Sequence, residues 1–436
     1  MPKDTIKHDP SCADDYDAQS KSVEQARASI KQLISPIRDT EKLALRDSLN
    51  RVLAQPVISP IEVPSHTNSA MDGYAMAGSD LPDAEKATTK NYQVIGKAFA
   101  GNPYEGSCES GQVIRIMTGA VMPEGCDTVI MQEHVERVEG VEGVDTDKGI
   151  TQIKIGSNHK AGQNVRQAGE DIALGSDVLN VGRRLTPADL GVIASLGISE
   201  VAVIRRPRIA FFSTGDELKS VGETLGKGDI YDSNRYTLFG MLKRLNVDII
   251  DMGVIVDDPQ ILKQTFLSAA SMADVIITSG GVSVGEADYI KDILDEIGDC
   301  DFWKIAMKPG RPLTFGSIEN TLFFGLPGNP VSVMATFYQF VQPALHYLAS
   351  GTVKYPLTIQ ANCLTSLRKR AGRFEFQRGI YQQEENGEIS VQKTGQQGSG
   401  ILTSMSQANC FILLPVEMTQ LEAGEKVLIQ PFDSFI

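Results

Sequence analysis

Between Val275 and Gly298 the chain reads VIITSGGVSVGEADYIKDILDEIG: an apolar β-forming run, a glycine-rich turn and an amphipathic helical pattern in immediate succession. Gly280, Gly281 and Gly285 allow backbone conformations that side chains forbid, so several N–H groups can converge on an oxyanion just ahead of a helix start. Asp288, in the first helical turn, adds a carboxylate beside that anion site. A carboxylate and a phosphate tolerate each other when a cation lies between them, which points to a bridging divalent ion such as Mg²⁺.

Other candidates recur at comparable places. Glu217 in STGDEL and Asp257, with Asp258 next to it, each follow a predicted strand and could share a metal with Asp288. GLPGNP, Gly325 to Pro330, opens a helix with a rigid loop in which Pro327 and Pro330 fix the shape around Gly328 and Asn329. WKIAMKPGRP gathers Lys304, Lys308 and Arg311. A run of charge is commonly a solvated face, but Pro309-Gly310 bends this one at a strand end, as an anion clamp requires. SAMDGYAM, Ser69 to Met76, reads from residues alone only as a turn around Asp72-Gly73. The five histidines form no spaced cluster, and the six cysteines show no C-x-x-C pair, so they read as reduced thiols and not as a zinc or disulfide framework.

At 436 residues the chain exceeds one core and predicts three or four units. A 42 % hydrophobic and 22 % charged composition with 40 glycines is that of a globular protein rich in turns. The net charge of −14 argues against nucleic acid or a membrane surface as partner, so an anionic ligand needs a local basic cluster. No apolar leader and no run approaching membrane-spanning length is present, which predicts a cytoplasmic protein.

The expected organisation is multidomain, α/β plus β. Residues 1–21 read as a flexible polar tail. Residues 22–57 and 160–205 read as an elongated helical linker domain, with two helices between Ser22 and Leu53 broken at Pro36 and a third opened by Thr186-Pro187 and closed at Gly197. Residues 58–159 read as an inserted β-rich lobe. Residues 206–350 alternate strand and helix, implying a mostly parallel sheet whose ligands gather at the strand C-terminal ends. Residues 351–436 carry five short strands, YPLTIQANCL, GRFEFQRGIY, EISVQKTG, CFILLPVE and EKVLIQPF, which fit a small β barrel or sandwich.

Seven of these stretches in order, SAMDGYAM, RIMTGAVMPEGCDTVI, RQAGEDI, STGDEL, SGGVSVGEADY, KPGRP and LPGNPVS, resemble the molybdopterin molybdenumtransferases of the MoeA type, akin to the gephyrin E domain. The resemblance spans roughly residues 22–436. It implies Mg²⁺-dependent hydrolysis of adenylylated molybdopterin, coupled to insertion of molybdate at the dithiolene with release of AMP. It also implies a homodimer whose active site joins the α/β domain of one subunit to the N-terminal parts of the other. A molybdopterin adenylyltransferase would supply the substrate and apo-molybdoenzymes would take the product.

Carried over by position, Asp72, Thr118, Glu217, Asp257 and Asp288 are the catalytic candidates, and Glu217, Asp257 and Asp288 hold the metal. Ser279, Gly280, Gly281, Ser283, Gly285, Lys304, Lys308, Pro327, Gly328, Asn329 and Pro330 bind the substrate, and the domain 206–350 is the molybdopterin-binding one. Lys308, Arg311, Ser332, Arg373 and Ser399 bind molybdate. Arg311 stands where the family carries a lysine, keeping the charge while changing its geometry. Two other readings compete: an adenylyltransferase, which explains neither SAMDGYAM nor the C-terminal β segment, and a non-catalytic dimeric scaffold, which leaves the intact charged motifs without a use. Metal-dependent AMP release separates all three.

Overall fold

The computed structural model of the protein describes residues 20–83, 85, 88–138, 152–280 and 289–432. The tail, residues 1–19, therefore lies outside the described residues, as do Gly281, Ser283, Gly285 and Asp288.

Alternation in the strand Arg208–Thr214 builds the central unit. Ile209 and Phe211 face one side of a six-stranded sheet, Ala210 and Phe212 the other, and all four are fully buried. On the first face they meet helices Ser233–Lys243 and Pro330–Thr336 through Leu238, Met241 and Val333; on the second they meet helix Pro259–Met272 through Leu262 and Phe266. Each buried phenylalanine contributes about 1.5–3 kcal/mol by leaving water.

The strand order is Asp248–Ile255, Arg208–Thr214, Val275–Ser279, Thr321–Leu326, Pro312–Ile318, Gly298–Lys304. The first four run parallel, and the last two are antiparallel additions, so the sheet is mixed with a parallel core. Antiparallel addition brings Lys304 and Pro312 to the edge where the four parallel strands end. Helix Pro330–Thr336 continues through a π-helical stretch, Phe337–Val341, into Gln342–Ser350 and stops at the left-handed Gly351.

The predicted C-terminal barrel is closed. Strands Phe374–Gln383, Ile389–Lys393, Ile359–Cys363, Lys426–Pro431 and Cys410–Leu414 pair in that order, and the last pairs back to the first. Closure leaves no free edge in the ring, and Val391, Cys410, Ile412 and Ile429 fill it. A short strand, Met307–Lys308, leaves the central unit and pairs in parallel with Phe374–Glu375.

The β-rich lobe holds a six-stranded sheet of its own, ordered Thr128–Met131, Gly73–Met76, Gln112–Ile116, Thr89–Ala98, Gln152–Gly156, Val135–Arg137. SAMDGYAM is thus more than a turn, because its second half is a fully buried strand between two neighbours.

The N-terminal region corrects one expectation. Helix Val23–Leu33 forms, with a capping box at Ser22 and Gln25, and its Val23, Ala26 and Ile30 pack into the central core. The second helix expected before Leu53 is absent: Thr40–Ala44 is a strand, antiparallel to Glu200–Ile204, followed by the single 3₁₀ turn Leu45–Asp47. Pairing with a segment some 160 residues away overrides a short helical pattern that could not sustain a helix alone. Helix Pro187–Ser195 forms as expected, with Thr186 and Asp189 in a reciprocal cap, and Ile193 packs with Leu53, Val57 and Val203. Among the described residues no helix is long and apolar enough to cross a membrane.

Candidate active site

The two inner parallel strands, Arg208–Thr214 and Val275–Ser279, end on polar residues. Ser213 and Thr214 close one strand, Thr278 and Ser279 the next, and all four are buried. At Gly280 the chain takes φ +94°, and a Cβ there would lie 2.7 Å from the Thr214 carbonyl, so glycine is required for the turn to begin. Gly280 N donates to Leu326 O at 3.2 Å, which seats the start of the glycine turn beside the end of strand Thr321–Leu326 and the following Pro327.

Asn234, in the first turn of helix Ser233–Lys243, links the two loops. Its Nδ2 donates to Ser279 Oγ at 2.8 Å and to Gly328 O at 2.7 Å. Asp232 caps the same helix, accepting from Arg235 N at 3.1 Å through Oδ1. The buried Asp232 Oδ2, Asn234 Oδ1, Ser213 Oγ, Thr214 Oγ1 and Thr278 Oγ1 have no hydrogen-bond partner among the described residues. Unmet buried polar atoms cost about 1–3 kcal/mol each, and their concentration here marks ground suited to a ligand or ordered water.

Two of the acidic candidates, Glu217 and Asp257, meet at the same edge. Asp257 N donates to Asp216 Oδ1 at 3.2 Å, and burial together with the charges of Asp216 and Glu217 pushes the Asp257 carboxyl above its ordinary range. The Glu217 carboxylate folds back over Gly215, within 2.6 Å of where a Cβ would stand. Asp258 is committed elsewhere, capping helix Pro259–Met272 through Gln260 N and Ile261 N, both at 2.9 Å. Among the described residues no group of three His, Cys, Asp or Glu side chains could by itself hold a metal ion.

The molybdate candidates converge from four segments. Arg311 is buried, and its carbonyl accepts from Ile305 N at 2.7 Å, closing the Lys308-Pro309-Gly310 bend. Gly310, at φ +90°, lies so close to helix Pro330–Thr336 that a Cβ would stand 2.5 Å from Thr336 Oγ1 and 3.4 Å from Ser332 O. Val331 N, in the first turn of that helix, donates to Ser399 O at 3.1 Å, and Phe374 N, next to Arg373, donates to Ala306 O at 2.8 Å. Lys308, Arg311, Ser332, Arg373 and Ser399 are therefore brought together through their backbones. Lys308 Nζ lies 3.2 Å from Glu375 Oε1.

Asp72 and Thr118 form a separate pair in the lobe. Asp72 Oδ1 accepts from Thr118 N at 2.7 Å and from Thr118 Oγ1 at 2.8 Å, holding the carboxyl below its ordinary range, and among the described residues neither hydrogen-bonds outside the lobe. Asp216, Asp232, Asn234 and Glu375 escaped the sequence reading. Asp232-Ser233-Asn234 carried one signal, an aspartate at a helix start, while Glu375 carried none within its alternating strand pattern.

A family model described as the MoeA N-terminal region (domain I and II) matches residues 21–197, one described as a probable molybdopterin binding domain matches 210–347, and one described as the MoeA C-terminal region (domain IV) matches 360–432. The chain is similar to the molybdopterin molybdenumtransferase of Haemophilus influenzae, 44 % identical over 95 % of this chain and 99 % of that protein. It is 33 % identical to gephyrin of Dictyostelium discoideum over 91 % of this chain and 60 % of that longer protein. In three dimensions it resembles the molybdopterin biosynthesis moeA protein of Pyrococcus horikoshii OT3, with a TM-score of 0.79 at 30 % identity over 94 % of this chain and 99 % of that one. With three such matches in order along its length and a full-length relative at this identity, the chain belongs to the MoeA family of molybdopterin molybdenumtransferases.

Proposed function

We propose that the protein hydrolyses the adenylate bond of adenylylated molybdopterin and inserts molybdenum from molybdate into the dithiolene, releasing AMP. The observation that carries this reading is the convergence of Lys308, Arg311, Ser332, Arg373 and Ser399 beside the sheet edge where the glycine turn begins. A tetrahedral dianion suits that set: cations supply charge-assisted hydrogen bonds and hydroxyls supply shorter-range donors. The substrate phosphates suit the glycine turn that begins at Gly280 and the shaped loop Pro327 to Pro330, with Lys304 at the adjoining strand end.

The acidic edge fits Mg²⁺. That ion takes one or two carboxylates and completes its shell with water and substrate phosphate, so a three-residue cage is not needed. Burial, and after it the charges of Asp216 and Glu217, raise Asp257, a cost that a cation would offset, and Glu217 and Asp257, with Asp288, are the residues to hold it. Held there, Mg²⁺ would supply the positive charge that neutralises phosphate oxygens. The chain's own part is to orient the anhydride over the strand ends through Ser279, Asn329 and the Asn234 link, and to place molybdate by the basic set. Asp72, kept ionised by Thr118, is positioned to bind a donor group or to accept a proton. Because Asp72 and Thr118, among the described residues, bond within the lobe, a homodimer in which the lobe of one subunit completes the sheet-edge site of the other accommodates both groups. The proposed units are the linker 22–57 and 160–205, the lobe 58–159, the central domain 206–350 and the barrel 351–436.

The test is incubation with adenylylated molybdopterin and Mg²⁺, with and without molybdate, following AMP release and activation of a cofactor-free molybdoenzyme. Molybdate-stimulated AMP release that is lost in Asp257→Asn supports the reading. Substrate retained without turnover would replace it with the scaffold, and consumption of ATP in a parallel incubation with molybdopterin and ATP would replace it with the adenylyltransferase.

A further inference from the structure

The basic cluster contains one residue of the wrong sign. Glu375 pairs in register with Lys308 across the short parallel ladder that joins central unit and barrel, and its side chain is only 7 % exposed. Its Oε1 lies 3.2 Å from Lys308 Nζ, and its Oε2 accepts from Gln377 Nε2 at 3.0 Å, so both oxygens are engaged. Cations surround it. Burial lowers the Lys369 ammonium, Glu375 and Glu417 act against that, and the like charges of Lys308 and Arg373 deepen it. Burial likewise brings Arg378 down to about 10, with Glu375 the opposing charge. Arg378 Nη2 donates to Gly398 O at 2.9 Å, which ties this group to the residue before Ser399.

A nearly buried carboxylate in a site for oxyanions repels the ligand unless it has a use before the ligand arrives. Here it compensates Lys308, Lys369, Arg373 and Arg378, which would otherwise repel one another at close range. We propose that Glu375 is a resident counter-anion for the molybdate subsite: it holds Lys308 while the subsite is empty and yields that ammonium to the entering dianion. This deepens, and rests on, the assignment of Lys308 and Arg373 to molybdate. The exchange costs every entering anion the same amount, so singly charged anions, which gain least from the cluster, fail to displace it. Glu375 is in this sense a positioning and specificity residue and touches no reacting atom.

Molybdate binding to the full-length protein is measured by calorimetry for wild type, Lys308→Ala, Glu375→Gln and Glu375→Asp. Glutamine keeps the shape and the contact to Gln377 while removing the charge. The expected result is about tenfold tighter molybdate binding in Glu375→Gln, with a lower melting temperature without anion that molybdate restores. Glu375→Asp keeps the charge but withdraws it from Lys308, and is expected to fall between wild type and Glu375→Gln; it decides the question if Glu375→Gln fails to fold. If wild type binds molybdate, Lys308→Ala weakens it, and neither Glu375 variant binds more tightly, the counter-anion role is overturned while the subsite stands. If wild type and all variants take up no molybdate, the subsite and the role fall together.

Discussion

Thr118 holds one oxygen of Asp72 with two hydrogen bonds, from its backbone N–H at 2.7 Å and its hydroxyl at 2.8 Å. The carboxyl sits on the surface of the lobe, so the arrangement fixes an orientation and an ionised state more than it stabilises the fold. With its pKa depressed, Asp72 stays charged across the neutral range, and its favourable contribution is lost only as pH falls through that depressed value. Asp72→Asn is expected to lower the rate of AMP release by about 10²–10⁴ with no change in melting temperature. Thr118→Val, which keeps the N–H bond, should lose much less; equal losses would mean the hydroxyl is itself part of the chemistry.

Asn234 presents a different kind of test, because its side chain joins the end of strand Val275–Ser279 to the loop at Gly328. Removing its amide in Asn234→Ala frees Ser279 Oγ and Gly328 O at once. A stability loss of about 1–2 kcal/mol is expected from the two bonds. The informative readout is kinetic: KM for adenylylated molybdopterin should rise about tenfold while the KM for molybdate holds, since the basic set is tied down independently.

His346 gives the fold an acid-sensitive point away from the site. Burial, then the charges of Arg184 and Lys354, lower its pKa from 6.5 to about 4. The unfolded chain binds a proton below about 6.5 that the folded chain refuses until about 4, so stability is full above that window and falls as pH drops through it. The loss should reach on the order of 1–3 kcal/mol. His346→Gln should flatten this part of the stability profile in denaturant titrations between those pH values; an unchanged slope would place the sensitivity elsewhere.

Arg205 braces the linker to the central unit. Its Nη1 and Nη2 reach Asp274 at 2.7 and 2.8 Å and its Nε reaches Asp39 at 2.9 Å, while Asp274 also accepts from Arg208 N at 2.7 Å. Burial works to raise Asp274, and these bonds outweigh it. Asp274→Ala leaves a partly buried guanidinium and an amide without their acceptor and should cost about 2–3 kcal/mol, measured by urea unfolding. Asp39→Ala, at the exposed end of the same arginine, should cost under about 1 kcal/mol.

Legibility followed the range over which each feature is determined. Helix Pro187–Ser195 could be read from Thr186, Pro187 and Gly197 because capping is local. The five barrel strands and the α/β alternation were legible for the same reason, since period and turn residues lie within each element. Thr40–Ala44 was not, because what makes it a strand is Glu200–Ile204. The same distance rule governs the site. Lys308 and Arg311 stood out through their own motif and Ser332 through the family resemblance, whereas Glu375 has meaning only beside Lys308, and Asn234 only between Ser279 and Gly328. A sequence read along its length shows which residues could do chemistry; it does not show which neighbours restrain them.

The two-residue strand Met307–Lys308 belongs to the central unit by chain and to the barrel by pairing. Cutting the gene between residues 350 and 359 would therefore not give two self-contained halves. The upstream fragment would keep a strand edge with nothing to pair against and lose the acceptor at Ser399 for its helix start, and the downstream fragment would carry a closed ring lacking the side chain that faces Glu375. Mixed in one tube, the two fragments would carry complementary faces already shaped for each other, which makes this boundary a natural seam for a split reporter whose reassembly can be followed by the return of anion binding.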